Sequence, residues 1–331
     1  MTTATLPPAA PPAVDPDAIL WDRFRTSPLF FVEQMWRLVP QEKGQPFVSG
    51  KHLSWQQVEI FRAIENAIAG KGKRFISISS GHGIGKSSTF AMLILWFLFV
   101  HKQAQIACTA PTAQQMHDVL AKEVGKWLRK MPPFIASHFE GTQGYVRMKE
   151  APDVWFCRFA TAKKEAPEAL AGVHGDHVML LADEASAIPE EIFEVAQGAL
   201  TNKNILFLIA SNPTRLSGFF FESQHRDKHL WHTFTFSSRE SPLVEQTYVR
   251  RMEDKYGPDS STVQIRVDGK FPVSEEDQLI PFDLFRQAAE RSYPRNLNAP
   301  RILGVDVARY GDDATVLAER QGNFGSLVKE R

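Results

Sequence analysis

The sequence holds 331 residues, 43% of them hydrophobic and 23% charged, a composition that suits a globular chain with one large domain and appendages. Lys+Arg and Asp+Glu both number 38, for a formal net charge of +0, so no overall basic excess announces a nucleic-acid partner and any such contact must come from a local patch. Two cysteines, Cys108 and Cys157, make neither a disulfide framework nor a zinc cluster and fit a reducing cytosolic compartment; the longest apolar run, Phe90 to Val100, is too short to span a bilayer, and no export signal opens the chain.

Residues 1–18 are rich in proline and alanine (Pro7, Pro8, Pro11, Pro12, Pro16), too poor in buriable surface to offset their ordering entropy, and are expected to form a disordered tail. From Ile19 to Leu38, Leu20, Phe24, Phe30, Phe31 and Met35 recur at roughly helical spacing, which predicts a helical lead-in. Strands are then expected at Phe75–Ile78, Gln105–Thr109, Val154–Phe159, His177–Ala182 and Asn204–Ala210. Helices are expected between them at Lys86–Val100, Ala113–Leu128 and Pro189–Leu200. Strands alternating with helices imply right-handed crossovers and a mostly parallel sheet covered on both faces, an α/β fold. The 86–100 helix is apolar nearly all round, so it should be among the most buried elements. After Phe271 the chain turns acidic and proline-bearing, giving domain limits of 19–272, a linker at 273–300 with one short helix, and a new strand from Arg301 to Ala308 that opens a further segment, 301–331.

Between the first strand and the apolar helix lies Ser79-Ser80-Gly81-His82-Gly83-Ile84-Gly85-Lys86-Ser87-Ser88. Glycines allow a tight turn in which successive N–H groups converge on one point, and the helix adds its positive dipole end there. Lys86 would place a charge at the β- and γ-phosphates of a nucleotide, and the Ser87 hydroxyl would coordinate Mg2+. The pattern departs from G-x-x-x-x-G-K-S at its first position, Ser80. A second element agrees with it: the apolar run Val178–Ala182 ends in Asp183-Glu184. A carboxylate at the C-terminal tip of a parallel strand points into the crevice where such sheets bind ligands. Asp183 there can hold the Mg2+ shell, and Glu184 can orient or deprotonate an attacking water.

Two further segments carry open alternatives. Ser211 and Asn212, at the end of the 204–210 strand, either sense the γ-phosphate from a neighbouring strand tip or simply form a Ser-Asn-Pro exit turn. Leu53-Ser54-Trp55-Gln56-Gln57 could supply a glutamine to the hydrogen-bonding edge of adenine. It is equally a helix start, with Ser54 as cap and Gln57 at the third position.

Taken in order, Leu-Ser-Trp-Gln at 53–56, Gly-His-Gly-Ile-Gly-Lys-Ser at 81–87, Ala-Pro-Thr-Ala-Gln at 110–114, Asp-Glu-Ala at 183–185 and Ser-Asn-Pro-Thr at 211–214 resemble the ATPase of large terminases, the DNA-packaging motors of tailed bacteriophages. Gly304-Val305-Asp306-Val307-Ala308 resembles the first strand of that family's ribonuclease H-like nuclease. The resemblance implies a P-loop NTPase of RecA/ASCE type followed by the start of the nuclease. It implies ATP and Mg2+ bound through residues 81–88, with Lys86, Ser87 and Asp183 at the phosphates and metal, and Glu184 as catalytic base. Gln56 would lie near adenine, Ser211 and Asn212 would couple hydrolysis to movement, and Asp306 would be the first ligand of a two-metal nuclease. It also implies double-stranded DNA, a small terminase subunit and a portal protein as partners, a homo-oligomeric ring on the procapsid, and the host bacterial cytoplasm as location.

Two features depart from the family. Many terminases carry an arginine in the phosphate loop where this sequence has His82, which cannot be relied on for charge at neutral pH. Arg215 or a neighbouring subunit's arginine could substitute. The nuclease needs further carboxylates, and Asp312 and Asp313 read as a structural turn, so no nuclease activity is expected of this chain alone. A helicase-like ATPase and a non-catalytic assembly module that keeps the fold are the alternative functions. DNA contact would fall to local groups such as Lys122, Lys126, Arg129, Lys130 or Lys163-Lys164, most of which read as a solvated surface.

Overall fold

The computed structural model describes residues 15–142, 144–164, 167–196, 204–272, 288, 291, 293–308 and 315–330. Residues 1–14 of the expected tail, the C-terminal part of the 189–200 helix, nearly all of the linker's first half and the Asp312-Asp313 turn lie outside these residues, whereas Pro16, Asp17 and Ala18, expected in the disordered tail, instead open a helix that Asp15 caps and Pro16 starts. The chain divides into two units, residues 1–275 and 276–331.

The first unit opens with α1 (Pro16–Thr26) and α2 (Pro28–Trp36). The lead-in is two helices because Ser27 caps the second and Pro28 cannot continue the first. Short β1 (Val39–Pro40) and β2 (His52–Leu53) pair in parallel before α3 (Trp55–Ile68). β3 (Phe75–Ser80) leads through the glycine loop into α4 (Lys86–Val100). β4 (Gln105–Ala110) follows, then a π-helical stretch Gln115–Ala121 running into α5 (Lys122–Arg129), short α6 (Pro133–Ala136) and a hairpin of β5 (Phe139–Gly141) and β6 (Tyr145–Met148). Next come β7 (Phe156–Thr161), β8 (Val178–Asp183), α7 (Glu190–Ala196), β9 (Ile205–Ser211), α8 (Phe219–Gln224) and β10 (Trp231–Phe236). The unit closes with α9 (Gln246–Tyr256) and α10 (Ser261–Val263), the latter continued by a π-turn, Gln264–Asp268.

Eight strands form one sheet in the order β10-β3-β9-β8-β4-β7-β6-β5. All pair in parallel except the β5–β6–β7 edge. The two faces follow the period-2 alternation of each strand. Ile106, Cys108, Met179, Leu181, Leu206 and Leu208 point into one core with α2, α3, α4 and α5. Ala107, Leu180, Ala182, Phe207 and Ile209 point into the other with Ile192, Phe193 and Phe220. With both faces covered, the central strands are apolar throughout, as a parallel sheet requires. Helix α4 is buried except at Ser87, Ser88 and Phe99, as its all-round apolarity predicts, and no helix among the described residues is long and apolar enough to cross a membrane. Sequence reasoning missed β10 and the β5–β6 hairpin. β10 reads as half-polar because it is an edge strand, with Thr233 and Thr235 among its residues.

The chain order and the spatial order differ where it matters. β9 lies between β3, which feeds the glycine loop, and β8, which ends in the acids. The tip of β9 is therefore interposed between loop and acids, although residues 211 and 212 are far from both in sequence.

The second unit contains the antiparallel meander β11 (Arg301–Asp306), β12 (Val316–Gln321) and β13 (Phe324–Glu330). Its residues Ile302, Leu303, Val305, Val307 and Leu327 are all exposed.

Candidate nucleotide-binding site

The loop between β3 and α4 is shaped by two glycines in the left-handed region, Gly83 (φ 78°) and Gly85 (φ 89°), which side chains disfavour. Gly85 is the N-cap of α4, and the helix has no side-chain cap, so its first-turn N–H groups are left for an anion. Gln57 holds this turn from behind. Its Nε2 donates to the Gly85 carbonyl (3.5 Å) and to Thr89 Oγ1 (3.3 Å), while its Oε1 accepts from Ser54 N in a capping box.

Lys86 folds back along the loop and donates to Ser80 Oγ at 2.9 Å. The serine at the departing first position thus provides a resting partner for the nearly buried ammonium. Across the crevice Ser87 Oγ donates to Asp183 Oδ2 (3.1 Å), and Asp183 Oδ1 accepts from Glu184 N (3.0 Å). Glu184 itself adopts φ 52°, a conformation that costs a non-glycine residue about 1 kcal/mol or more. From the tip of β9, Ser211 Oγ lies 3.3 Å from Glu184 Oε2, and Asn212 Nδ2 donates to the Ser80 carbonyl at 2.6 Å. β9 thereby bridges the loop and the acids.

These groups converge on one cavity of about 350 Å3, lined by His82, Gly83, Ile84, Gly85, Lys86, Ser87, Ser88, Glu184 and Asn212. Burial, and then repulsion from Glu184, pushes the Asp183 carboxyl up to about 6. A buried aspartate beside a half-buried glutamate, with the Ser87 hydroxyl alongside, is an oxygen donor set that suits a hard cation. A second cavity of about 350 Å3 adjoins the first through Gly83, Gly85 and Ser88 and is walled by Phe47, His52, Met92 and Trp127. Trp127 Nε1 donates to Ser88 Oγ at 2.9 Å.

His82 lines the phosphate cavity, with its Nδ1 3.2 Å from the Tyr248 hydroxyl. Burial, the Lys86 ammonium and the Arg266 guanidinium all depress its pKa, so the imidazole is neutral where many terminases carry an arginine. Arg215 lines neither of these two cavities; its backbone N–H is held by Ser186 Oγ.

Gln56 requires a correction. The structure buries it completely on the core side of α3. Neither amide atom has a partner among the described residues, and it lines neither cavity. The next residue, Gln57, faces the loop instead. One helical step rotates a side chain by about 100°, and the sequence does not say which of two adjacent glutamines turns outward.

Asp306 ends β11 and is exposed. Among the described residues no cluster of three or more His, Cys, Asp or Glu could hold a metal ion. Of the basic groups, Lys126 is ion-paired with Glu123 at 2.9 Å and Lys164 with Glu191 at 2.8 Å, while the Lys130 ammonium sits over the Trp127 ring.

Sequence reasoning missed a cap over the loop. After β10, residues 237–271 run across the outer side of residues 79–85. Gly81 N donates to Phe236 O (2.9 Å), His82 N to Arg266 O (2.8 Å), Ser238 Oγ to His82 O (2.6 Å) and Ser79 Oγ to Gly269 O (2.7 Å). A Cβ on Gly81 would strike Ser238 Oγ and the Val267 carbonyl. Val249, Val263 and Val267 form the cap's own small core, and Arg239 ties it together through ion pairs with Glu253 and Asp268. The only local signal was Gly269, a glycine near the end of a polar stretch.

Comparison with known proteins agrees with this geometry. Residues 77–287, more than half of the chain, match the family described as the T4-like-virus type terminase large subunit, N-terminal part. The chain is 31% identical over 270 residues to a probable terminase large subunit of Enterobacteria phage P7, an alignment that covers 78% of this chain and 54% of the relative. It therefore spans about half the length of that relative. Among solved structures, the large terminase ATPase domain of Thermus phage P74-26 aligns with a TM-score of 0.54 at 17% identity, over 74% of this chain and 99% of that one. The large terminase of a second thermophilic bacteriophage, in complex with ADP, aligns with a TM-score of 0.54 at 14% identity, over 84% and 68%. At such identities these two comparisons establish the fold, and the glycine loop, the paired acids and the bridging strand tip occupy one cavity within it. With the family match spanning the loop, the acids and the cap, this chain belongs to the terminase large subunit family.

Proposed function

We propose that this chain hydrolyses ATP as the motor part of a large terminase that drives double-stranded viral DNA into a procapsid. The observation that carries this reading is the convergence of Lys86, Ser87, Glu184 and Asn212 on one cavity, with Asp183 bonded to Ser87. The residues present fit Mg-ATP. Uncapped helix N–H groups and Lys86 suit the phosphates, and Ser87 with Asp183 suits a hard cation that keeps most of its shell from phosphate and water. Bound there, the cation would neutralise charge developing on the phosphate oxygens.

The protein's own part is positioning. Lys86 exchanges its Ser80 partner for phosphate oxygen. Glu184, held by the Ser211 hydroxyl and by its own strained backbone, accepts a hydrogen bond from the attacking water and takes its proton as the water oxygen bonds to the γ-phosphorus and the bond from that phosphorus to the β–γ bridging oxygen breaks, with ADP as the leaving group. Asn212, bonded to the loop backbone, and Ser211, bonded to the base, stand where loss of the terminal phosphate is felt, which suits coupling of hydrolysis to movement. The adjoining cavity, with Phe47, Met92 and Trp127 beside His52, Glu123 and Lys126 in its wall, suits the base and ribose. Gln57 supports the loop there, because its amide is committed to Gly85, Thr89 and Ser54 rather than free for adenine.

Under this reading double-stranded DNA, a small terminase subunit and a portal protein are the partners, with copies of the chain forming a ring in the host bacterial cytoplasm. Asp306 would supply one ligand of a two-metal nuclease, and no cleavage is expected of this chain by itself; magnesium- or manganese-dependent nicking of a plasmid would refute that. The motor reading is tested by ATP turnover with and without DNA. Turnover by the parent that is abolished in Lys86→Ala supports it, and a parent inert in both conditions contradicts it.

A further inference from the structure

At the opposite edge of the sheet from the nucleotide site, where the parallel strands begin, lies a cavity of about 310 Å3 that shares no lining residue with the two cavities described above. Phe97 and Leu206 line it beside four basic side chains, Arg25, Arg74, His101 and His177, and no carboxylate among the described residues does so. The basic groups come from four separate places: the last turn of α1, the residue before β3, the C-cap of α4 and the residue before β8. Main-chain bonds fix three of them, since Phe207 N donates to Arg74 O (3.0 Å), Ala104 N to His101 O (3.3 Å) and Gln105 N to His177 O (3.0 Å). The His101 and His177 rings stack with their centroids 4.4 Å apart. His101 is only 8% exposed, and its Nδ1 has no hydrogen-bond partner among the described residues. Burial, then His177 and Arg25, keep this imidazole uncharged.

Helices α1, α3 and α4 end here, with Thr26, Ile68 and His101 in the wall, and the carbonyl ends of helices favour positive neighbours. That accounts for Arg25, which also pairs with Asp22 at 2.7 Å. Arg74 stands outside the account. It belongs to no helix, and its guanidinium has no ion-pair or hydrogen-bond partner among the described residues. The end of α3, the helix before it, already has its Asn66 and Ala67 carbonyls bonded to Lys71 N (2.8 Å) and Gly70 N (3.2 Å). An uncommitted guanidinium and two imidazoles around one space leave charge and N–H donors unanswered, and an oxyanion answers both. We propose that this cavity is a second anion site that takes a phosphate group on Arg74, His101 and His177, with Arg25 at its rim. The chemistry is the same whether the group arrives as free phosphate or within the backbone of double-stranded DNA. The site stands apart from ATP hydrolysis, because none of its residues reaches the nucleotide cavity.

The test follows the His177 ring by proton NMR in the full chain, its signals identified by their loss in His177→Gln. Sulfate is the first probe, because its double charge is constant through the histidine range. It should raise the titration midpoint of His177 by roughly 0.5 in pH or more, since a bound anion favours the charged ring against the opposing charges of Arg25 and Arg74 and alongside that of Asp176. Arg74→Ala should weaken sulfate binding by about tenfold, with Arg74→Lys recovering part; Arg74→Gln repeats the measurement if the alanine variant does not fold. Inorganic phosphate that reproduces the shift, with a short DNA duplex binding parent and Arg74→Ala alike, identifies the free ion as occupant. A duplex that reproduces the shift, and whose affinity and salt dependence both fall in Arg74→Ala, identifies the DNA backbone. A midpoint unmoved by phosphate and duplex alike would overturn the proposal. So would equal responses in the parent and the Arg74 variants, or a shift that disappears in Lys86→Ala, which would place the ion at the glycine loop instead.

Discussion

At the scale of single residues, the proposed mechanism divides its labour between two adjacent acids. Glu184 faces the cavity from a strained backbone, and replacing it with glutamine keeps the shape while removing the proposed base. Glu184→Gln should therefore lower ATP turnover by roughly 10²–10⁴-fold with nucleotide affinity retained; turnover equal to the parent would remove Glu184 from the mechanism. Asp183 is the buried partner, and its carboxyl is raised to about 6 by burial and by Glu184. A raised carboxyl means the metal-free folded site holds its proton more tightly than the unfolded chain does. This group's stabilisation is therefore full below the ordinary aspartate range and is lost as the pH climbs through about 6. Asp183→Asn should raise the Tm of the metal-free chain at about pH 8, with the gain disappearing toward about pH 4. Thermal melts across that range check it, and a lower Tm at the alkaline end would contradict the assigned cause.

At the scale of elements, the decisive contacts join segments distant in sequence. The two strands and the helix that make the site are legible from periodicity and glycine placement. The cap is not, because nothing in residues 237–271 announces that its carbonyls will accept from the loop. Gly269 is its tightest point: at φ 65° an added Cβ would stand 2.5 Å from Ser80 Cα and 2.6 Å from the Phe236 carbonyl oxygen. Both neighbours are main chain and cannot turn aside. Gly269→Ala should destabilise the fold by about 1–3 kcal/mol or more and weaken nucleotide binding, measured by denaturant unfolding and analogue titration; a neutral substitution would mean the cap sits less tightly than its hydrogen bonds indicate. The pair Gln56 and Gln57 makes the same point in miniature. Both lie in the first turn of α3, yet only one touches the loop, because the helix is rotated by what it packs against.

At the scale of the whole molecule, the first unit holds the entire nucleotide cavity together with its cap. Phe271 closes that unit by packing on Phe220, Phe221 and His225 at ring distances of 5.8, 5.2 and 4.9 Å. A chain ending at Pro272 should accordingly fold and bind an ATP analogue with the parent's affinity, whereas one ending at Ser260 should lose the latch at His82 and bind weakly. Equal binding by both would show that the cap is dispensable.

The sequence by itself determined the backbone chemistry of this protein. Glycines before an apolar helix make an anion cradle, and an apolar run ending in two acids makes a strand tip, because both follow from local conformational rules. The tertiary structure alone decided which partners those pieces meet: β9 between β3 and β8, Ser211 against Glu184, Gln57 rather than Gln56 behind Gly85, and Arg266 against His82. Such contacts depend on how whole faces are buried, and side-chain periodicity specifies that a face is buried without specifying what lies across from it.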